Sequence, residues 1–357
     1  MRIVTILDRY IGIHLAGSYF LVMLLLLTLF GVLDLVGQLK DVGTGSYELK
    51  DAIIFVVRTM PMRMLDLLPV TALMGSTMAL AGLANTSELI AMRAAGMSVV
   101  RIAIAIMKTG VLLILLTMIL EEFVAPPLKQ DAIRQHSFAL SGITLHTEHG
   151  LWSHKGLRYI NVRNILHGRI PTDIDIYEFD DKGHLHIFIH AEEADISDPV
   201  QWRLSRVDMK IIGRKAITNR HLPTLSWASF LSEKEVHALE FPSDSLAPSM
   251  LYSYIDYLRS AGAPSIRYEY ELWKKLFLPW LTGAMILLAT PIVFGSPRSV
   301  NRGKLIALTT VLSVGLYFFN EIVINVGLFY KLNPPLITAF PVALILTVAV
   351  AQFRRVF

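Results

Sequence analysis

The 357-residue chain contains no cysteine. That excludes disulfides, thiolate metal sites and a cysteine nucleophile. Charge is also scarce, at 17% of residues, where an ordinary soluble domain carries about 25%. No G-x-x-x-x-G-K-[ST] phosphate loop occurs, and Arg302-Gly303-Lys304 lacks the first glycine and the closing Ser/Thr. The chain therefore does not bind ATP in that way. Neither G-x-S-x-G nor H-E-x-x-H is present, which weighs against an enzyme.

What the chain has instead is apolar sequence. Hydrophobic residues make up 54% and the mean hydropathy is +0.52. The excess falls in six segments, near residues 12–36, 53–82, 99–124, 272–295, 304–329 and 335–353. Each meets the rule of ~20 apolar residues per membrane-spanning helix. The first has too long an apolar run for a cleaved signal peptide, and no small-residue cleavage site follows it. The short loops set the orientation. One side carries Arg2, Arg9, Arg93, Arg101, Arg298, Arg302, Lys304, Arg354 and Arg355, the other only Lys40, Lys50 and Lys331. The basic side is cytoplasmic, so both termini are expected inside and the region between the third and fourth spans outside. The pI of 9.1 restates this bias and does not indicate nucleic-acid binding.

The second apolar segment is overlong. From Asp51 to Gly82 a single helix would measure roughly 48 Å at 1.5 Å per residue, against a hydrocarbon core of ~30 Å. It contains Pro61 and Pro69 as well as Arg58, Arg63 and Asp66. A helix that projects beyond the membrane and bends near a proline is expected. Arg63 and Asp66 stand at i,i+3 and can pair, either as an interfacial structural pair or in ligand contact.

Pro126-Pro127 is expected to stop the third span. The stretch from 125 to 270 then reads as β structure. Residues 157–162, 173–179, 185–190 and 201–207 alternate with period two. Asp180-Asp181-Lys182-Gly183 is a hairpin signal, with further breaks at Gly168, Pro171 and Pro199. Such spacing indicates a sandwich, jelly roll or open barrel. Without disulfides this domain relies on its own core, for which its length suffices. A helix near 249–260, ended by Gly262 and Pro264, returns the chain to the fourth span.

Ten of the eleven histidines lie in or beside this region. His184, His186 and His190 share one strand face, but no second ligand pair has metal spacing, so solvated positions are the better reading. Asn320, Glu321 and Asn325 interrupt the fifth span. Polar groups at that depth are costly against lipid and should face a bundle interior or a cavity, as structural hydrogen bonds or as part of a substrate path. Between spans two and three, residues 85–96 read as a short helix, with capping-box spacing from Asn85 to Glu88 and Gly96 as its C-terminal cap. It is either a connector or a transmission helix whose Glu88 meets a basic residue on a cytoplasmic partner.

Several of these segments carry a resemblance. Leu7-Asp-Arg-Tyr-Ile-Gly12, Pro69-Val-Thr-Ala-Leu-Met-Gly75, Ser87-Glu-Leu-Ile-Ala-Met-Arg-Ala-Ala-Gly96 and Gly150-Leu-Trp152 resemble the lipopolysaccharide export permease family (LptF/LptG), and the opening motif resembles its LptG branch. The resemblance runs along essentially the whole chain. It implies a bundle of six transmembrane helices with an inserted all-β, jelly-roll-like periplasmic domain, laid out as 1–124, 125–270 and 271–357. It implies a non-catalytic permease subunit, paired with a paralogous subunit on a dimeric cytoplasmic ATPase that holds ATP and Mg. A periplasmic bridge protein with a single membrane anchor would receive the lipid. The first and fifth spans would form lateral gates. Residues 85–96 would be the coupling helix, with Glu88, flanked by Ser87 and Arg93, facing the ATPase. Members of the LptG branch often carry a lysine near the external end of span one, where this chain has Asp34. The expected contacts to lipid phosphates therefore move to Lys40, Arg63 and Arg134, with Asn320 and Glu321 on the substrate path. A membrane scaffold whose β domain binds a partner protein is the rival reading, and would need no ATPase. A secondary transporter is a third, but the two three-span halves show no evident inverted repeat.

Overall fold

The computed structural model describes residues 6–141, 146–166, 170–180, 183–196, 201–213, 217–228, 241–260, 264–295 and 302–356. Arg2, Gly168, Asp181, Lys182, Pro199, Gly262 and Arg298 lie outside these. Helices α1 (Ile6–Leu39), α2 (Leu49–Asn85), α3 (Glu88–Ala94) and α4 (Val99–Ile119) come first. A π-helical turn, Leu120–Val124, leads into α5 (Ala125–Ser141). Six strands follow: β1 (His146–Lys155), β2 (Arg158–Leu166), β3 (Ile170–Phe179), β4 (Leu185–Asp195), β5 (Gln201–Ile212) and β6 (Ile217–Ala228). Helices α6 (Pro248–Ser260), α7 (Ile266–Phe294), α8 (Arg302–Phe329) and α9 (Pro334–Val356) close the chain. Among the described residues six helices are long and apolar enough to cross a membrane: α1, α2, the joined α4–α5 helix, α7, α8 and α9.

The expected stop at Pro126-Pro127 is not realised, because the helix runs on to Ser141. Prolines are tolerated in a first helical turn, where their missing N–H leaves no bond unmade. The wider π turn just before them accommodates the change of register. Likewise α2 runs unbroken for 37 residues through Pro61 and Pro69, roughly 55 Å at 1.5 Å per residue.

The chain divides into two compact units. The helical unit comprises Met1–Asp34, Met60–Ala125 and Glu269–Phe357. Ile11 and Leu15 of α1, Leu73 and Leu80 of α2, Ile102 and Ile106 of α4 and Met285 and Ile286 of α7 share one buried cluster. In lipid such a cluster gains little from the hydrophobic effect, so close packing must hold it. Gly75 shows how: a Cβ there would lie 2.6 Å from Cδ1 of Tyr19. Only glycine lets α1 and α2 approach so closely at this point.

The second unit comprises Leu35–Thr59 and Pro126–Tyr268. Its six strands form one antiparallel sheet in the order β1-β2-β3-β4-β5-β6. The all-β region is inserted between helices as expected, and its described strands follow one another in sequence order across the sheet. The β3–β4 turn closes as the sequence indicates, with Asp180 N donating to His184 O and Gly183 N to Asp180 O, both at 2.9 Å. One sheet face is apolar and buried, with Ile160, Ile174, Ile176, Ile189, Trp202 and Leu204 at its centre and Tyr257 of α6 packed against it. Here burial removes area from water, each large side chain contributing ~1.5–3 kcal/mol. The opposite face carries an in-register polar row, Asn161↔Asp175↔His190↔Asp208↔His221.

Candidate functional site

The short helix α3 is held at both ends by backbone geometry. α2 continues through Asn85, so Asn85 cannot cap α3. The residue before α3 is Ser87, in a left-handed conformation (φ +63°) with no side-chain bond to the helix. The expected capping box is therefore absent. The expected C-terminal cap is present: Gly96 has φ +86°, its N–H donates to Arg93 O, and Met97 N–H donates to Met92 O. These two bonds make a Schellman motif, which glycine permits at that position. Leu89 is buried in the helical core with Met92 against it, while Ser87, Ile90, Ala91 and Arg93 are exposed. α3 thus hangs from one leucine and shows its other side outward.

Glu88 is not idle. Its carboxylate accepts a 2.5 Å hydrogen bond from the Tyr10 hydroxyl of α1. That bond, helped by one from Thr86, holds the Glu88 carboxyl below the usual carboxylate range, so it stays ionised at neutral pH. Two residues before Tyr10, Asp8 of α1 is buried and reaches two cations of α4, Arg101 at 3.0 Å and Lys108 at 2.8 Å. The two cations stand seven residues apart, on one face of the helix. α1 is therefore tied to both α3 and α4 at this end. The sequence reading missed Tyr10, Asp8 and Lys108. The lone lysine in an otherwise apolar span was the available signal.

At the other end of the spans, Arg63 donates both prongs of its guanidinium to Asp34, at 2.7 and 3.1 Å. The hydrogen bonds expected to join Arg63 to Asp66 go to the neighbouring helix, where a planar fork can meet a carboxylate squarely. Asp34 thus takes up a cation where a phosphate contact was expected. Glu321 pairs with Lys274 of α7 at 2.9 Å, Asn320 is buried, and Asn325 donates to the Glu321 carbonyl. Asn320 and the Glu321–Lys274 pair lie inward, as their cost in lipid requires, whereas Asn325 is exposed and satisfies its amide on its own helix.

In the second unit, Lys40 is exposed in the turn after α1. Arg134 lies over the Phe241 ring at 4.8 Å and lines a cleft of about 500 Å³ that Lys40 does not reach. Among the described residues no three His, Asp or Glu side chains are grouped to hold a metal. His190 instead meets Asp175 at 2.8 Å, and His184 meets Asp180 at 3.5 Å.

Six apolar helices, a short helix hung between the second and third of them, and a β sheet inserted after the third give the layout of a multi-pass membrane protein. Comparison with known proteins gives the family. Residues 9–355 match the family described as "Lipopolysaccharide export system permease LptF/LptG". The chain is 36% identical over 329 residues to lipopolysaccharide export system permease protein LptG of Haemophilus influenzae, covering 91% of each chain. It is 32% identical over 340 residues to the LptG protein of Escherichia coli K12, covering 94% of this chain and 93% of that one. The chain belongs to the LptF/LptG family of lipopolysaccharide export permeases.

Proposed function

We propose that the chain is the transmembrane permease subunit of an ATP-driven complex that extracts lipopolysaccharide from the inner membrane and passes it to a periplasmic bridge for outer-membrane assembly. Its relatives' names support the substrate. The excess of arginine and lysine on one set of loops supports cytoplasmic termini and a periplasmic β domain. The chain itself is non-catalytic. ATP and Mg reside on a dimeric cytoplasmic ATPase, and a paralogous LptF-like subunit completes the membrane part.

The observation that carries the mechanism is the Tyr10–Glu88 bond. A force applied to α3 by the ATPase passes through Glu88 to α1, and Arg93 and Ser87 lie on the exposed side where a partner would sit. α1 and α8 have the least of their apolar stretch buried, 11% and 17%. These first and fifth spans are the ones free to meet a second subunit or open to lipid, which supports lateral gating. Closure of the ATPase would then tilt α1 and expel lipid upward, the acyl chains passing along the apolar face of the sheet.

Affinity purification through a tagged ATPase tests the partnership. This chain should co-purify in stoichiometric amount, and Glu88→Ala should weaken the complex or uncouple it. Failure of the wild-type chain to co-purify with any ATPase would end the reading in favour of a scaffold.

A further inference from the structure

The sheet face opposite the apolar core is not uniformly polar. Beside the row Asn161↔Asp175↔His190↔Asp208, two residues along each strand, runs a second row, Tyr159↔Tyr177↔Phe188↔Lys210. Two strand residues span about 6.8 Å, so a hydrogen-bonding row and a largely aromatic one lie side by side. At the turn end of the sheet the aromatic row opens into a cleft of about 520 Å³, lined by Leu157, Tyr159, Tyr177, Phe179 and Gly183. Leu157 and Tyr159 remain 43% and 37% exposed. Tyr159 meets Phe179 edge to face at 5.5 Å, and Tyr177 is tilted against Phe188 at 5.1 Å, so the rings brace one another. Apolar groups clustered in water, on the face away from the core, call for an occupant.

The polar row decides which occupant. Asp175 is buried and accepts from Arg163 and from His190 Nδ1, each at 2.8 Å. Asp208 is paired with His221, and Lys210 lies over the Phe188 ring at 5.7 Å. These charges are answered on the face itself, which gives an anion little to hold. A purely apolar ligand would cover polar groups without bonding them, at a cost. His190 is fixed through Nδ1 and keeps Nε2 as its second hydrogen-bonding atom. A neutral sugar ring suits both rows. Its C–H groups form an apolar face that stacks on an aromatic ring, and its hydroxyls donate and accept at the rim.

We propose that this cleft binds neutral sugar residues of the exported lipid's glycan, with Tyr159 and Tyr177 as the stacking platform and His190 Nε2 as a hydrogen-bond partner for the hydroxyls. The inference rests on the lipopolysaccharide-export reading and adds a contact for the sugar part, where that reading gives the sheet only acyl chains. The position agrees with it. Phe179 N donates to Leu157 O at 2.9 Å, which puts the β1–β2 and β3–β4 turns at one end of the sheet. A molecule lying on the apolar face can reach round that end to the cleft.

The test is saturation-transfer NMR on the full chain in nanodiscs. The probe is a neutral hexose oligosaccharide from the outer core of lipopolysaccharide, freed of lipid and phosphate, with a proline-rich peptide as a second arm. Saturating the protein's aromatic protons should transfer signal to the sugar C–H protons in wild type. Tyr159→Ala should cut that signal by about fivefold, as for the loss of one aromatic contact. Tyr159→Phe, which keeps the ring, should retain most of it. His190→Ala, which leaves Asp175 its Arg163 partner, should weaken it by a smaller factor. No transfer in wild type, a result that needs no variant to fold, would overturn the proposal. So would an unchanged signal in Tyr159→Ala, or displacement of the sugar by the peptide, which would make the cleft a peptide groove. ATP-driven release of lipopolysaccharide by the wild-type complex separates the two failures. Release without a sugar contact would strike only this site; no release would strike the export reading, and with it the assignment of the sugar to an exported lipid.

Discussion

In the helical unit Asp8 lies between Arg101 and Lys108, and Asp34 takes both prongs of Arg63. In the β-bearing unit the Arg58 guanidinium lines a cleft, and among the described residues its buried nitrogen has no acceptor. The difference separates two uses of charge in one chain. A cation whose partner comes from the next helix is a fastening, and in lipid, where apolar burial drives little, such fastenings and close packing carry the load. A cation with a buried donor left unmet is instead a cost to the fold.

The comparison can be broken at several places. The largest effect should come from Asp8→Asn, which leaves two cations facing a neutral, nearly buried side chain. Breaking a buried pair costs about 3–5 kcal/mol, and the low end applies here because both cations keep partial exposure. A large fall in thermal unfolding temperature of the purified chain checks this; no fall would show that the pair is not a fastening. Gly75→Ala should follow, at about 1–3 kcal/mol for overpacking, because the added methyl meets Tyr19. Asp34→Asn should cost about 1 kcal/mol, as both partners remain partly exposed. The charge-swapped double variant, Asp34→Arg with Arg63→Asp, should recover most of it. Arg58→Met should do the opposite of Asp8→Asn, leaving the lipid-free chain as stable or slightly more so, since replacing an uncompensated charge by an apolar side chain is neutral to favourable. A marked loss would mean that the Arg58 charge is already satisfied within the fold. Tyr10→Phe should leave stability almost unchanged and reduce ATP-coupled lipid release less than Glu88→Ala does.

Much of this architecture is legible in the sequence, for particular reasons. The spans are readable because bilayer thickness fixes their length. Strands β2 to β5 are readable because one face is buried and the other wet, which imposes period two on stretches such as residues 173–179. β6 is not, because Pro223 interrupts it and its residues are mostly exposed; as the last strand of the described sheet it tolerates a missing N–H. Gly96 announces its cap through backbone need alone, whereas Asn85 misleads because α2 outlasts its polar signal. The site shows the same divide. Glu88 is visible as a charged residue in a short capped segment, but its partner Tyr10 lies 78 residues away and no local spacing reveals it. Arg63 has a plausible local partner in Asp66 and a better one 29 residues earlier in Asp34. Which cations stay unanswered, Arg58 above all, is a property of the fold.

The most direct measurement of the account is lipid release from proteoliposomes holding the complete complex loaded with lipopolysaccharide, with wild type and Glu88→Ala compared at equal assembly. ATP should release lipid from the wild-type complex, and in Glu88→Ala hydrolysis should persist while release falls to background. Release that needs no ATP, or that proceeds undiminished without the Glu88 carboxylate, would contradict a permease driven through α3.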